Sequence, residues 1–391
     1  MPLRFLTAGE SHGPALTAIL EGMPAGVPIE RSVIDRDLRR RMSGYGRGGR
    51  MQIERDRVEL LGGVRFGRSL GSPISLLIRN LDHENWVEAM NAEPPHPGGD
   101  RARAVTRPRP GHADLAGSLK YATHDARDVL ERASARETAA RTAAGALARC
   151  FLVQAGIEVT SRTVAVGDAV APGLAEDDFD GLLAMPDEAP IRCTDDAAVG
   201  AMVAAVDAAR EAGDSVGGVF EVLARGVPPG LGSHAHWDRR LGSRLGGAVM
   251  SIQGVKAASI GDGIEGAARR GSAHHDPILY DAAQRRFLRP SNRAGGIEGG
   301  MSNGEMIRVQ GYLKPLSTLP RPLPSVDLVD KTAFEATRER TDTVPISAAG
   351  VVGEAMVCLV LADALLDKCG GDSLEELLRN LSGYRESLRA F

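Results

Sequence analysis

The 391-residue sequence predicts a mixed α/β fold, of the α+β kind, built around an internally duplicated unit of strand, turn and helix. Three observations lead there. Strand-like apolar runs alternate with helical patterns along the chain. The order strand, Pro- and Gly-containing turn, helix occurs near the N-terminus and again after residue 220. One Ala-rich stretch, 128–154, has the length and composition of a long helix. At this length, with 43% hydrophobic and 25% charged residues, the chain can bury a large core. One domain over residues 1–391 without a flexible linker is expected.

The first element is a strand of roughly Leu3 to Ala8, which runs into "TAGESHG" at 7–13. Gly9, Ser11 and Gly13 match the G-x-S-x-G of a serine hydrolase elbow, but an elbow needs an assembled sheet before it and only eight residues precede Gly9. The glycines read better as a tight turn that lets a ligand approach Ser11 and His12, or as a loop in which His12 merely bonds backbone. "ALTAILEGMPAGVPI" then reads as strand and turn, and "SVIDRDLRRRM" as a helix with Ser32 at its N-cap, Val33, Ile34 and Leu38 inward, and Arg39 and Arg40 outward. Residues 31–50 hold seven arginines against two acids, and 101–109 hold four arginines and no acid. Such islands in a chain of net charge −4 suit a compact anionic ligand better than a polyanion.

The Pro- and Gly-rich stretch 91–117 is expected to be an active-site loop rather than a linker, since it carries Arg103, Arg107, Arg109 and His112 without compensating acids. In the helix expected over Asp128–Gln154, Arg132 and Arg136 are four apart, so either an anion sits between them or the face is solvated. "FEVLARGVPPGLG" at 220–232, followed by "HWDRRLGSRLGGAVMSI", is the second strand, turn and helix. "GDGIEG" at 261–266 matches a dinucleotide fingerprint but lacks a following helix. "NRAGGIEGGMSNGE" at 292–305 reads as a loop passing close to a flat ligand.

Cys150, Cys193, Cys358 and Cys369 show no C-x-x-C pairing, so reduced, partly buried thiols are expected. The segments His234-Ala-His236 with Asp238 and His274-His275-Asp276 lack a complementary cluster, and no metal is expected. Aromatics are 4% of residues, so no stacking platform for nucleic acid is evident. Neither a membrane span nor a signal peptide is legible, and the cytoplasm is the expected compartment.

Seven segments, "TAGESHG", "GYGRGGR", "RPRPGHAD", "RASARET", "NRAGGIEGGMSNGE", "KPLST" and "RTDTVPISAAGVVGEAM", occur in order from residue 7 to about 356, and together the chain resembles the chorismate synthase family. The resemblance implies a β-α-β-α sandwich, a homotetramer, and reduced FMN as cofactor. It implies elimination of phosphate from 5-enolpyruvylshikimate 3-phosphate to give chorismate. By the same resemblance His12 protonates the leaving phosphate, His112 protonates the reduced flavin, Ser11 and Ser134 are relay hydroxyls, and Asp342 is the acid near flavin N5. The implied flavin contacts are Arg132, Ala133, Ser134, Gln253, Gly254, Gly299, Lys314, Pro315, Leu316, Ser317, Thr318 and Arg340. Ala133 stands where many relatives have Ser, and Gly254 where a larger residue is common. Arg41, Arg47, Arg50, Arg109 and Arg136 are the implied anion-holding arginines, with NADPH, as reductant, near the first three. A flavin or nicotinamide oxidoreductase acting on a small anion, and a non-catalytic anion-binding protein, are the competing readings.

Overall fold

A computed structural model describes residues 2–48, 55–94, 102–175, 177–339 and 341–391. The first half runs β1 (Arg4–Ala8), β2 (Ala15–Glu21), α1 (Arg31–Met42), β3 (Val58–Gly62), β4 (Ile74–Arg79), α2 (Asp114–Tyr121), α3 (Arg127–Ala133) and α4 (Thr138–Gln154). The second runs β5 (Glu158–Val166), β6 (Ala169–Val170), α5 (Asp178–Ala184), α6 (Asp196–Glu211), β7 (Gly218–Arg225), α7 (Leu241–Met250), β8 (Val255–Ile260), β9 (Ile307–Leu313), α8 (Ile346–Cys369) and α9 (Leu374–Ala390). Two antiparallel sheets result, in the orders β1-β2-β4-β3 and β8-β9-β7-β5-β6. Without the short edge strand β6, the two have one topology: β1β2α1β3β4α4 is retraced by β5β7α7β8β9α8.

The duplication extends to single atoms. The turns after β2 and β7 both read Gly-x-Pro-x-Gly, and Gly22, Gly26, Gly226 and Gly230 all have φ between +82° and +90°. In the first turn Ser69 Oγ donates to the Pro24 carbonyl at 2.5 Å and accepts from Val27 N at 2.9 Å. In the second, Ser302 Oγ donates to Pro228 O at 2.7 Å and accepts from Leu231 N at 2.8 Å.

Burial follows the strand period. Leu16, Ala18 and Leu20 of β2 enter the core while Ile19 is exposed. Phe220, Val222 and Ala224 of β7 join the same core, and Leu223, on the opposite face, packs with Phe179 and Leu182 of α5. α4 packs on the first sheet, α8 on the second, and the two helices on each other. The expected alternation of layers therefore holds with its inner helical layer two helices deep. A Cβ on Gly145 of α4 would stand 2.3 Å from the Ala355 Cβ of α8, so glycine is what lets the pair approach. α8 is long and apolar enough to cross a membrane, but 89% of its most apolar window is buried inside the protein, as for a core helix.

Two expectations are corrected. The helix expected over 128–154 is broken at Ser134, which is extended (φ −61°, ψ 143°) and accepts from Arg136 N at 3.3 Å to cap a 3-10 turn. Arg132 and Arg136 therefore point apart: Arg132 bonds the carbonyls of Thr7 and Gly9, while Arg136 bonds Asn80 and Asp56. Arg40, expected outward, is 5% exposed and is gripped by Glu354 at 2.7 and 2.8 Å and by Asp37 at 3.0 Å. Helical periodicity alone could not reveal carboxylates on α8 and within α1 that draw it inward.

Candidate active site

The β1–β2 connection carries Ser11 and His12. It is a hairpin turn rather than a strand-to-helix turn, which removes the hydrolase elbow. Gly9 has φ +104°, and a Cβ there would lie 2.3 Å from the Ala15 carbonyl, so the glycine serves this turn. The turn is docked on α3, with Ser11 N donating to Glu131 O at 3.0 Å. His12 N donates to a Glu131 carboxylate oxygen at 2.9 Å, and His12 Nδ1 lies 3.0 and 2.9 Å from the two. Trp86 stacks on the imidazole with ring centres 3.9 Å apart, and the Arg103 and Arg127 guanidiniums lie 4.1 and 5.0 Å from the Trp86 ring. Arg127 Nη1 also bonds Glu131 at 2.8 Å. Burial alone would raise the Glu131 carboxyl, but the bond and charge from His12, together with Arg127, hold it below its ordinary value.

His112 is built in the same way. Its Nδ1 bonds the buried Asp114 at the start of α2, and Arg109 bonds the other Asp114 oxygen through Nε at 2.8 Å. Asp114 too is pushed up by burial and carried below its ordinary value by the stronger pull of His112 and Arg109. Each histidine thus has its Nδ1 against an ionised carboxylate, which fixes its tautomer and orientation. Both histidines line one polar chamber of about 190 Å³, with Ser11, Trp86, Arg109, Ser134, Leu316, Ser317, Thr318 and Glu339.

Ser134, Ala135, Leu316 and Thr341 also line a neighbouring chamber of about 200 Å³. Its walls are apolar (Ile252, Leu313, Pro345, Ala348, Ala349 and Val352), and its polar groups are Arg41, Arg47, Arg136, Gln253 and Asp342. Gln253 Nε2 donates to Glu137 at 2.9 Å, while the buried Gln253 Oε1 has no partner among the described residues and needs a donor. Small apolar walls beside an orphaned amide oxygen fit a flat heteroaromatic ring that brings an N–H. The residues present therefore fit a flavin.

The arginines are not bare anion hooks. Arg41 Nη2 bonds Asp56 at 2.8 Å and Arg136 Nη1 bonds both Asp56 oxygens at 2.6 and 2.7 Å, so one carboxylate is shared by two cations. Burial would raise Asp56, yet Arg41 and Arg136 hold it below its ordinary value. Arg47 pairs with Asp342 at 3.0 Å, and Asp342 also accepts from Gly48 N at 2.6 Å. Buried cations need such partners.

Lys314 Nζ donates to Gly111 O at 2.5 Å, tying the "KPLST" segment to the His112 loop, and Thr318 accepts from Arg109 at 3.0 Å. Burial pushes the Lys314 ammonium down. Gly254 (φ +83°) closes the turn before β8, and its carbonyl receives Lys314 N at 3.0 Å. Arg132, with Ala133 beside it at the end of α3, is spent on the Thr7 and Gly9 carbonyls. Arg50 and Arg340 lie outside the described residues. Gly299 does not join this cleft; it lines a separate cavity with His274, His275 and Arg240. Backbone packing requires the neighbouring Gly295, since a Cβ there would meet Gly261 N at 2.4 Å, whereas a Cβ on Gly299 would meet nothing within 4 Å. The "GDGIEG" segment follows β8 with a single helical turn, Gly263–Gly266, too short for a dinucleotide fold.

Glu131, Asp114, Trp86 and Asp56 were not among the residues singled out from sequence. Asp114 stood two positions after His112 and could have been paired with it. Glu131 is 119 residues from His12, and no local pattern links them.

The chorismate synthase family profile matches residues 3–366. The chain is 55% identical to the chorismate synthase of Desulforudis audaxviator over 388 residues, covering 99% of this chain and 98% of that one. It is 52% identical to the enzyme of Solibacter usitatus over the full length of both. A crystal structure of chorismate synthase superposes with a TM-score of 0.78 at 39% identity, covering 100% of this chain and 99% of that one. On sequence profile, identity over the whole length and shared fold, the chain belongs to the chorismate synthase family.

Proposed function

We propose that the protein converts 5-enolpyruvylshikimate 3-phosphate to chorismate and inorganic phosphate by a 1,4-anti elimination dependent on reduced FMN. The observation that carries this reading is the convergence of two carboxylate-backed histidines, His12 with Glu131 and His112 with Asp114, on one chamber beside an apolar slot. A phosphate leaving group needs a proton, and an imidazolium held by a buried carboxylate can give one. His12, through the ring nitrogen that Glu131 does not occupy, protonates the departing phosphate oxygen. His112 holds the proton for the reduced cofactor from the same chamber. Asp342, beside the apolar slot, assists removal of the hydrogen on ring carbon C6, with Arg47 and Gly48 N fixing its position. Arg41 and Arg136, which line the slot together with Arg47, favour the substrate's anionic groups there. Ser11 and Ser134 border the chamber as hydroxyl relays. Reduced FMN, when bound, supplies electron density to the substrate as phosphate departs, with no net redox change.

The same reading takes Arg41, Arg47 and Arg50 as the arginines near an NADPH reductant, one domain with 91–117 as active-site loop, a homotetramer, and a cytoplasmic setting. The decisive assay gives the pure protein chemically reduced FMN and the enolpyruvyl substrate without oxygen. Chorismate forming over many turnovers with the flavin still reduced supports the elimination. Stoichiometric flavin oxidation indicates an oxidoreductase instead, and binding without product a non-catalytic protein.

A further inference from the structure

α1 has a second charged side, away from the cleft. Arg41 faces the cleft, but its neighbour Arg40 and Arg36 line a small cavity of about 40 Å³ with Asp37, Arg149, Leu182 and Arg192. Around it Asp37 accepts from Arg40 at 3.0 Å and from Arg149 at 2.8 Å, and Glu354 accepts from Arg40 at 2.7 and 2.8 Å, Arg149 at 2.6 Å and Ser161 at 2.6 Å. Arg36 is held by Asp187 at 3.0 Å.

Arg192 has no such partner. It is 5% exposed, and among the described residues no carboxylate oxygen lies within 4 Å of it. Its bonds go to neutral oxygens: the Leu182 carbonyl at 2.9 Å, and Thr160 Oγ1 and the Ser161 carbonyl at 3.3 Å each. Three buried guanidiniums, Arg40, Arg149 and Arg192, thus face two buried carboxylates, Asp37 and Glu354. The strain registers on Arg192, pushed down to about 10 by burial first and then by the neighbouring Arg40 charge. Glu354 and Asp187 offset that push only in part and from a distance, and among the described residues neither makes an ion pair with Arg192. A buried cation without a directly bonded counter-charge is costly.

We infer that this cavity is a binding site for one small inorganic anion, with Arg192 as its principal ligand and Arg36, Arg40 and Arg149 as its surrounding field. A water needs roughly 10–15 Å³ of such space, so the cavity admits a halide or a tetrahedral oxyanion and excludes an organic acid. Because Arg40 and Arg41 are adjacent on α1, the bound anion also steadies the helix that delivers Arg41 to the cleft. The inference is independent of the proposed reaction.

Crystals of the full chain soaked in bromide should show an anomalous peak within hydrogen-bond distance of the Arg192 guanidinium. In solution, chloride or phosphate, compared with gluconate at equal ionic strength, should raise the melting temperature by about 2 °C at concentrations well above the dissociation constant. Arg192→Gln should lose that response, whatever the loss of its bonds to Leu182, Thr160 and Ser161 does to the melting temperature in gluconate. A response to chloride and phosphate alike identifies a general anion site, and one to phosphate alone an oxyanion site. Water only in the cavity after both bromide and phosphate soaks, or an equal anion response in Arg192→Gln, overturns the inference. Should Arg192→Gln fail to fold, the bromide and phosphate soaks decide alone.

Discussion

His12 and Glu131 show how much of a residue's chemistry lies in a partner far along the chain. The imidazole is stacked on Trp86, its Nδ1 is engaged, and its position is set by a carboxylate that burial would neutralise were His12 and Arg127 not beside it. Glu131→Gln keeps the shape and removes the charge, so turnover should fall by about 10²-fold or more while substrate binding changes little, the pattern of a lost orienting carboxylate. Steady-state kinetics with saturating reduced FMN measures it, and unchanged turnover would make Glu131 a packing residue. Asp342 makes a contrasting case, because it bonds both Arg47 and Gly48 N. Asp342→Asn retains one acceptor for Gly48 N and loses the ion pair. It should cost about 10²-fold in turnover with an enlarged deuterium isotope effect at C6. A loss confined to flavin affinity would instead assign Asp342 to holding the loop.

At the scale of elements, the interruption at Ser134 matters most. A continuous helix would have set Arg132 and Arg136 side by side; the extended residue turns the chain, sending one to the β1–β2 hairpin and the other to Asp56. It also brings Ser134 to the boundary of both chambers. The α4–α8 contact is the other decisive element. Gly145→Ala gains about 1 kcal/mol of helix propensity. Against that, the new methyl meets the Ala355 Cα at 2.4 Å and its carbonyl at 2.7 Å, backbone that cannot swing aside. Overpacking of about 1–3 kcal/mol should win, and the melting temperature should drop. Adding Ala355→Gly should recover part of the loss in thermal melts, a coupling that two independent sites would not show.

Over the whole molecule, buried carboxylates tie distant segments together: Asp56 joins Arg41 and Arg136 within the first half, and Glu354 of α8 joins the two halves through Arg40 of α1 and Arg149 of α4. Asp56, Asp114, Glu131 and Glu354 are all held below their ordinary values of 3.8 and 4.5 by cations that outweigh the effect of burial. The unfolded chain therefore takes up protons first as pH falls, and these contacts stabilise the fold fully above about pH 5 and progressively less below it. Melting temperature measured from pH 7 to pH 3 should be level in its upper part and fall steeply below about pH 5. A level profile down to pH 3 would mean that the carboxylates titrate alike in both states.

The sequence by itself determined what local chemistry can carry. The paired Gly-x-Pro-x-Gly turns, the alternation in β2, the glycine at position 9 and the ordered motifs that resemble one family were all legible, because each depends on backbone conformation or period within a few residues. His12 and His112 stood out for the same reason. Tertiary structure alone decided which charges meet. Glu131 reaches His12 across 119 residues, and Glu354 reaches Arg40 across 314. Among the described residues Arg192 has no ion-pair partner and bonds only neutral oxygens, and Gly299 lies in a cavity apart from the cleft where Gln253 lies. Electrostatic pairing acts through space and is blind to sequence separation, so an arginine looks alike in sequence whether it will face water, a carboxylate or a ligand. Only the packing of two duplicated sheets around α4 and α8 assigns each of them its partner.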